Sequence, residues 1–350
     1  MSMRSVNAAF CCAFAMTLFS AAAAESAPLG LVLSGGGAKG AYEVGVWQEL
    51  QSAGLSSNVT AISGTSVGAL NAALFATRPD AAERIWLEKM EDIFTINTNR
   101  VGESIQKTVN DVSNAVDVAK NTGKRWKGVV AFLLASAVRA ADDYVGTVES
   151  TAPVTGYIDS TKLAAAVDDA LPKAWPPATP AVYATAVEKG GAKASMTWRL
   201  NPEPHERRVL MLRASAAIPR GFDTVEIDGK TYVDGGWESK GGDNAPLEPI
   251  LENHPDVKTV IVVYLDDKKH INEKRLEKNR QAAEAAGVRL VEIVPSENIG
   301  GALGGWKGVF DASPATARRL IELGRNDARR RLLNLSATYS PTSWASSRSR

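Results

Sequence analysis

Gly64-Thr65-Ser66-Val67-Gly68 joins an apolar strand, Thr60–Ser63, to an apolar helix running from Val67 to about Ala76. No other stretch constrains the fold as tightly. A serine between glycines at a strand-to-helix turn sits on a tight elbow, with the two backbones passing close on either side of it. The elbow lifts the hydroxyl out of the sheet and sets it at a helix N-terminus, where the dipole favours developing negative charge. Two further glycine-rich segments flank this one in the chain. Residues 31–40, Leu-Val-Leu-Ser-Gly-Gly-Gly-Ala-Lys-Gly, read as a strand, a glycine turn and a helix start. Residues 232–236, Tyr-Val-Asp-Gly-Gly, end another strand on an acid. A loop of backbone donors, a nucleophile and a base are the equipment of acyl transfer.

Gly35, Gly36 and Gly37 lack the Cβ that would stop consecutive N–H groups turning inward, which suits an oxyanion. Lys39 either braces that loop or raises its potential. Asp234 precedes Gly235 and Gly236, so another backbone can approach the carboxylate. The spacing Gly35-x-Gly37-x-x-Gly40 also fits the dinucleotide fingerprint, but that reading needs an acid roughly 20 residues on. No Asp or Glu lies between Glu49 and Asp80, and the second strand ends in the serine elbow instead. A P-loop fails as well, because Ala41 rather than lysine follows Gly40.

On these residues the chain resembles the patatin-like phospholipases, lipid acyl hydrolases with a serine–aspartate dyad, from about Leu29 to about Leu333. Gly35–Gly40 is similar to the family's oxyanion loop, Gly64–Gly68 to its nucleophile elbow, and Asp234-Gly235-Gly236 to its acid motif. Ala214-Ser215-Ala216-Ala217-Ile218-Pro219 resembles the small-residue helix end that precedes the acid hairpin there, and Asn244-Ala245-Pro246 resembles a downstream segment. The resemblance implies a three-layer α/β/α fold with a mostly parallel central sheet and a helical insertion. It implies Ser66 as nucleophile, Asp234 as proton acceptor and Gly35, Gly36 and Gly37 as the oxyanion hole, with Lys39, Gly40, Gly64, Gly68, Gly235 and Gly236 supporting them. The substrate it implies is an acyl lipid, first a phospholipid at a membrane or micelle surface, with neutral lipids or small esters next. No cofactor, metal or protein partner is expected.

The histidines agree with a dyad. Of the three, His205 reads as part of a charged surface loop, His254 as a helix C-terminus where a cation is favoured, and His270 as solvated after Asp-Asp-Lys-Lys. His254 is the best of them for a triad, since it follows Asp234 in the chain. A bare aspartate, with a reference pKa of ~3.9, is a weak base for a hydroxyl. It has to act by proximity and by charge stabilisation at the glycine loop, with burial raising its pKa.

Met1–Ala24 carries one charge, Arg4, then an apolar stretch that closes on Ala22-Ala23-Ala24, the pattern of a secretory signal peptide. Periplasmic or secreted location is the expectation, with a hydrolase domain at 25–335 and a disordered tail at 336–350. Both cysteines, Cys11 and Cys12, fall inside the signal segment. Removing Arg4 leaves 39 basic residues against 39 acidic, so no basic excess points to nucleic acid. Downstream, strands are expected at Ala181–Glu188, Ser195–Leu200, Val257–Leu265 and Val288–Val294, helices at Val209–Ala217 and Ile271–Ala286, and a last helix from about Pro314 to Leu333. Thr224–Ile227 and Thr231–Val233 form a hairpin across Asp228-Gly229. The stretch from Ala81 to Tyr144 interrupts this alternation as a helical insertion. Its apolar run Gly128–Leu134, behind Lys124-Arg125-Trp126-Lys127, fits a membrane-interface cap or, more economically, a helix packed on the sheet. Gly300–Gly305 reads as a loop, either a lid hinge or a plain connection.

Overall fold

The computed structural model describes residues 27–94, 158–191, 195–219, 221–267, 269, 271–300 and 309–339. Strands β1 (Leu29–Leu33), β2 (Val59–Thr65), β3 (Ala181–Glu188), β7 (Thr259–Val263) and β8 (Arg289–Ile293) run parallel in the order β3-β2-β1-β7-β8. Strands β4 (Ser195–Arg199), β5 (Val225–Ile227) and β6 (Lys230–Asp234) complete an eight-stranded sheet with antiparallel pairings. β1 and β7 are buried along their whole length, the continuous apolar pattern of strands covered on both faces.

Period-two alternation divides the core in two. Leu29, Leu31 and Leu33 face one cluster, which is roofed by α1 (Ala41–Ser52), α2 (Val67–Thr77), α3 (Ala82–Glu88), α4 (Met90–Ile93), α5 (Ser160–Ala170), α6 (His205–Ser215) and α9 (Pro314–Tyr339). Val32, Ala61 and Tyr183 face the other, under α7 (Glu248–Asn253) and α8 (Glu273–Ala285). That is the expected three-layer α/β/α arrangement. Caps set the register where the sequence offers them: Asp159 accepts the Thr161 N–H at the start of α5, and Asn272 accepts the Lys274 N–H at the start of α8. Asp228 and Gly229 both take positive φ, 52° and 73°, and so make the tight turn joining β5 to β6.

Two differences from the sequence reading concern α6 and α9. His205, expected in a surface loop, begins α6 and is buried, with Nε2 2.6 Å from Asp168 Oδ1. The charged run Pro-Glu-Pro-His-Glu-Arg-Arg is a helix start whose histidine has an acid from α5 to meet. The final helix continues past Leu333 to Tyr339, into the stretch read as tail. The expected signal segment, most of the 81–144 insertion, His270 and residues 301–305 of the Gly300–Gly305 stretch lie outside the described residues.

Helices α1 and α9 touch backbone to backbone. A Cβ on Gly45 would lie 1.9 Å from the Ile321 carbonyl oxygen, and one on Gly324 would lie 2.0 Å from that of Tyr42. Tyr42 then donates its hydroxyl to Asp327 across the same seam, 3.0 Å apart.

The sheet has one feature that matters most for the site. On β3, β4 pairs with Tyr183–Val187, β2 with Ala181–Thr185, and β6 with Ala186–Glu188. β4 overlaps both of the others, so it occupies one edge of β3 and they must share the other. β6 therefore begins on β3 where β2 stops. Thr65 pairs with Thr185 and Asp234 with Ala186, the very next residue.

Candidate active site

Ser66 follows the end of β2 and caps α2 with φ 55° and ψ −126°. For a residue with a side chain this backbone costs about 1–3 kcal/mol and persists only where neighbours over-determine it. The flanking glycines supply the room. A Cβ on Gly64 would meet the Gly68 carbonyl carbon at 2.4 Å, and one on Gly68 the Leu33 carbonyl oxygen at 2.3 Å. Strand β1, strand β2 and helix α2 thus converge on two positions where only glycine fits.

Ser66 and Asp234 line the same cavity, about 450 Å³ in volume, with Gly35, Gly36 and Gly37. Both side chains are nearly closed off from bulk water, at 3% and 7% exposure. Asp234 Oδ1 accepts the Gly236 N–H at 2.7 Å, while Oδ2 has no hydrogen bond of ordinary geometry among the described residues. Burial raises the carboxyl pKa to about 6, outweighing the nearby Ser66 hydroxyl and the Gly236 N–H, which favour the ion. Gly235 is required for closeness, since a Cβ there would lie 2.1 Å from the Thr185 carbonyl oxygen.

The glycine loop departs from expectation at one residue. Gly35 gives its N–H to the Asn244 carbonyl at 3.1 Å, and Asn244 Nδ2 returns a bond to the Gly35 carbonyl at 3.2 Å. Gly35 is therefore a clamp rather than a donor. The N–H groups of Gly36 and Gly37 have no partner among the described residues and are the ones left for an oxyanion. Lys39 braces this loop: its Nζ donates to the Leu265 carbonyl at 2.9 Å and pairs with Asp266 at 3.0 Å. Gly40 passes its carbonyl to Asn71 Nδ2 of α2 at 3.0 Å, which joins the loop to the elbow helix.

None of the described histidines lines this cavity. His254 ends α7 on the opposite face of the sheet, with Nε2 3.0 Å from the Tyr183 hydroxyl. Burial lowers its pKa, so the expected C-terminal cation is held toward the neutral form instead. Asp168, the partner of His205, belongs to α5 and lies outside the cavity lining.

The sequence reading missed three neighbours of the site. Trp237, directly after the acid motif, lines the cavity. Glu43, wholly buried on α1, accepts from Asn71 at 2.8 Å, and burial raises its pKa well above the carboxylate range. Asn71 Oδ1 in turn accepts the Trp86 indole N–H at 2.9 Å. An acid three residues past Gly40 and an Asn inside an apolar helix were the available signals.

Residues 31–251 match the patatin-like phospholipase family. The chain belongs to that family. Among solved structures this patatin-like chain is similar to VipD from Legionella pneumophila, at 15% identity and TM-score 0.41 over 90% of this chain and 68% of VipD. It is similar to the type III effector ExoU of Pseudomonas aeruginosa at 15% identity and TM-score 0.39, over 88% and 53% of the two chains. Human GIVD cytosolic phospholipase A2 aligns at 10% identity and TM-score 0.45, over 90% and 60%. The chain thus spans about half to two thirds of the length of these proteins. No curated protein matches it.

Proposed function

We propose that this patatin-like chain is a lipid acyl hydrolase of the phospholipase A type that works through a Ser66–Asp234 dyad. The observation that carries the reading is the shared edge of β3. It sets a strained serine and a buried aspartate of raised pKa against one cavity, beside a glycine loop whose Gly36 and Gly37 N–H groups have no partner among the described residues. In the cycle, Asp234 accepts the hydroxyl proton as Ser66 Oγ attacks the acyl carbonyl. Gly36 and Gly37 N–H groups bind the oxygen as it gains charge. The alcohol portion leaves with the proton returned from Asp234, and the acyl group remains as an ester on Ser66. Water then attacks that ester and gives its proton to Asp234, and as the fatty acid is released Asp234 returns that proton to Ser66 Oγ, which regenerates both members of the dyad.

The family supports an acyl lipid as substrate, and phospholipid is the first to try. Fatty-acid release from a panel of phospholipids, neutral lipids and short esters, with Ser66→Ala as control, tests the proposal. A fluorophosphonate should label Ser66 in the wild type and leave the variant blank. Labelling at another residue, or hydrolysis that survives Ser66→Ala, sinks it. We propose further that residues 1–24 direct export to the periplasm or beyond.

A further inference from the structure

The small-residue segment Ala214–Pro219 has no part in the cycle above, yet it touches both members of the dyad. Helix α6 ends on Ser215, whose side chain is fully buried. Its Oγ accepts the Ser66 N–H at 2.9 Å and donates its own proton to the Thr185 carbonyl at 2.6 Å. Thr185 is the β3 residue that pairs with Thr65 at the end of β2. The Ser215 carbonyl accepts the Gly235 N–H at 3.3 Å, and two residues on the Ala217 carbonyl accepts the Asp234 N–H at 3.0 Å.

The chemistry required of position 215 is narrow. The side chain must accept and donate at one atom and fit a space closed to water. A hydroxyl does both. Alanine does neither, and would leave a buried N–H and a buried carbonyl without this partner. The bond to the Ser66 N–H also counts the nucleophile's own amide out of the oxyanion donors. Its larger consequence is geometric, because Ser66 sits at a backbone angle that relaxes unless its neighbours hold it.

We infer that Ser215 is a positioning residue: its hydroxyl holds Ser66 in attack geometry and locks the elbow to the β3 edge that carries Asp234. The inference rests on the dyad reading. The contacts from this helix end to Asp234 and Gly235 are made by main-chain carbonyls, so Ser215→Ala removes the hold on Ser66 and leaves that on the acid.

The test is fluorophosphonate labelling and ester hydrolysis by wild type, Ser215→Ala and Ser215→Thr, with melting temperature recorded for each. In Ser215→Ala, labelling should reach the wild-type extent with its rate constant, and kcat, down about 10- to 100-fold, the scale of misplacing a reacting group. KM should hold within about twofold, the acid limb of the pH profile should stay where it is, and Ser215→Thr should recover most of the rate. A wild-type rate constant in Ser215→Ala overturns the inference. So does a lowered extent at unchanged rate, which means only that less protein is folded, or an equal loss in Ser215→Thr. Should Ser215→Ala give no folded protein, Ser215→Cys is read by the same criteria. A wild-type protein that is not labelled at Ser66 is a failure of the hydrolase reading, seen before any variant is made.

Discussion

A carboxylate can take a proton from a serine only while it is ionised, and burial makes that state costly for Asp234. With its pKa raised to about 6, hydrolysis should climb as pH rises through that value and level off above it. A pH profile of kcat/KM on a soluble ester checks this, and a limb near 4 would mean that the carboxyl is solvated. The same shift predicts a stability effect of opposite sense. Between the unfolded value of 3.8 and about 6 the folded state holds the extra proton, so rising pH through that window weakens the fold. Asp234→Asn should thus be more stable than wild type at pH 7, by on the order of 2–3 kcal/mol at most. The gain should vanish in denaturation curves taken below pH 4. Its turnover should nevertheless fall by roughly 10²–10⁴, the range of an acid–base group. His254→Ala, on the far face of the sheet, should stay within a few-fold of wild type. Loss of activity there with Asp234→Asn intact would mean a triad.

At the scale of elements, the glycine loop is where function is most exposed to a single substitution. Gly37 has φ +58°, and a Cβ there would fall 2.4 Å from Val309 Cγ1. Gly37→Val should therefore re-aim the loop's donors and reduce kcat by about 100- to 1000-fold, as losing one oxyanion donor does. Titration with NAD should show no binding to either protein, while a dinucleotide site would bind the wild type and lose affinity in the variant. Why the elbow, the acid motif and the hairpin were legible is physical: each depends on a backbone that only a few residue types tolerate. Asp228-Gly229 makes such a turn, and Gly64 and Gly68 mark the close approaches. The Gly35 clamp was not legible, because its partner Asn244 lies 209 positions away in the chain. His205 misled for a related reason. Nothing local announces that α5 will bring Asp168 to it, so a charged run beside two prolines looks solvated.

For the whole molecule, alternation of apolar strands and helices announced the layers, but not which strands become neighbours. That β2 and β6 share one edge of β3 is a matter of register, and register is set by pairings made across the chain. Export would leave a mature chain starting after Ala24, which intact mass of the protein recovered outside the cytoplasm will show; a retained N-terminus counts against it. Gly324→Ala should cost about 1–3 kcal/mol by forcing α1 and α9 apart, while kcat per folded molecule holds. Denaturant titration and active-site labelling measure the two separately.

The seam between α1 and α9 also sets a timetable. Tyr42 and Asp327 are 285 positions apart, so the helix that directly follows the glycine loop keeps an open flank until the chain has grown well past Pro314. Contacts so distant form late in folding. During synthesis the serine elbow emerges early, its aspartate long after, and the helix that closes over α1 after that. On the dyad proposed above, a half-made chain carries the nucleophile without its base, and the order of the segments delays activity until most of the protein exists.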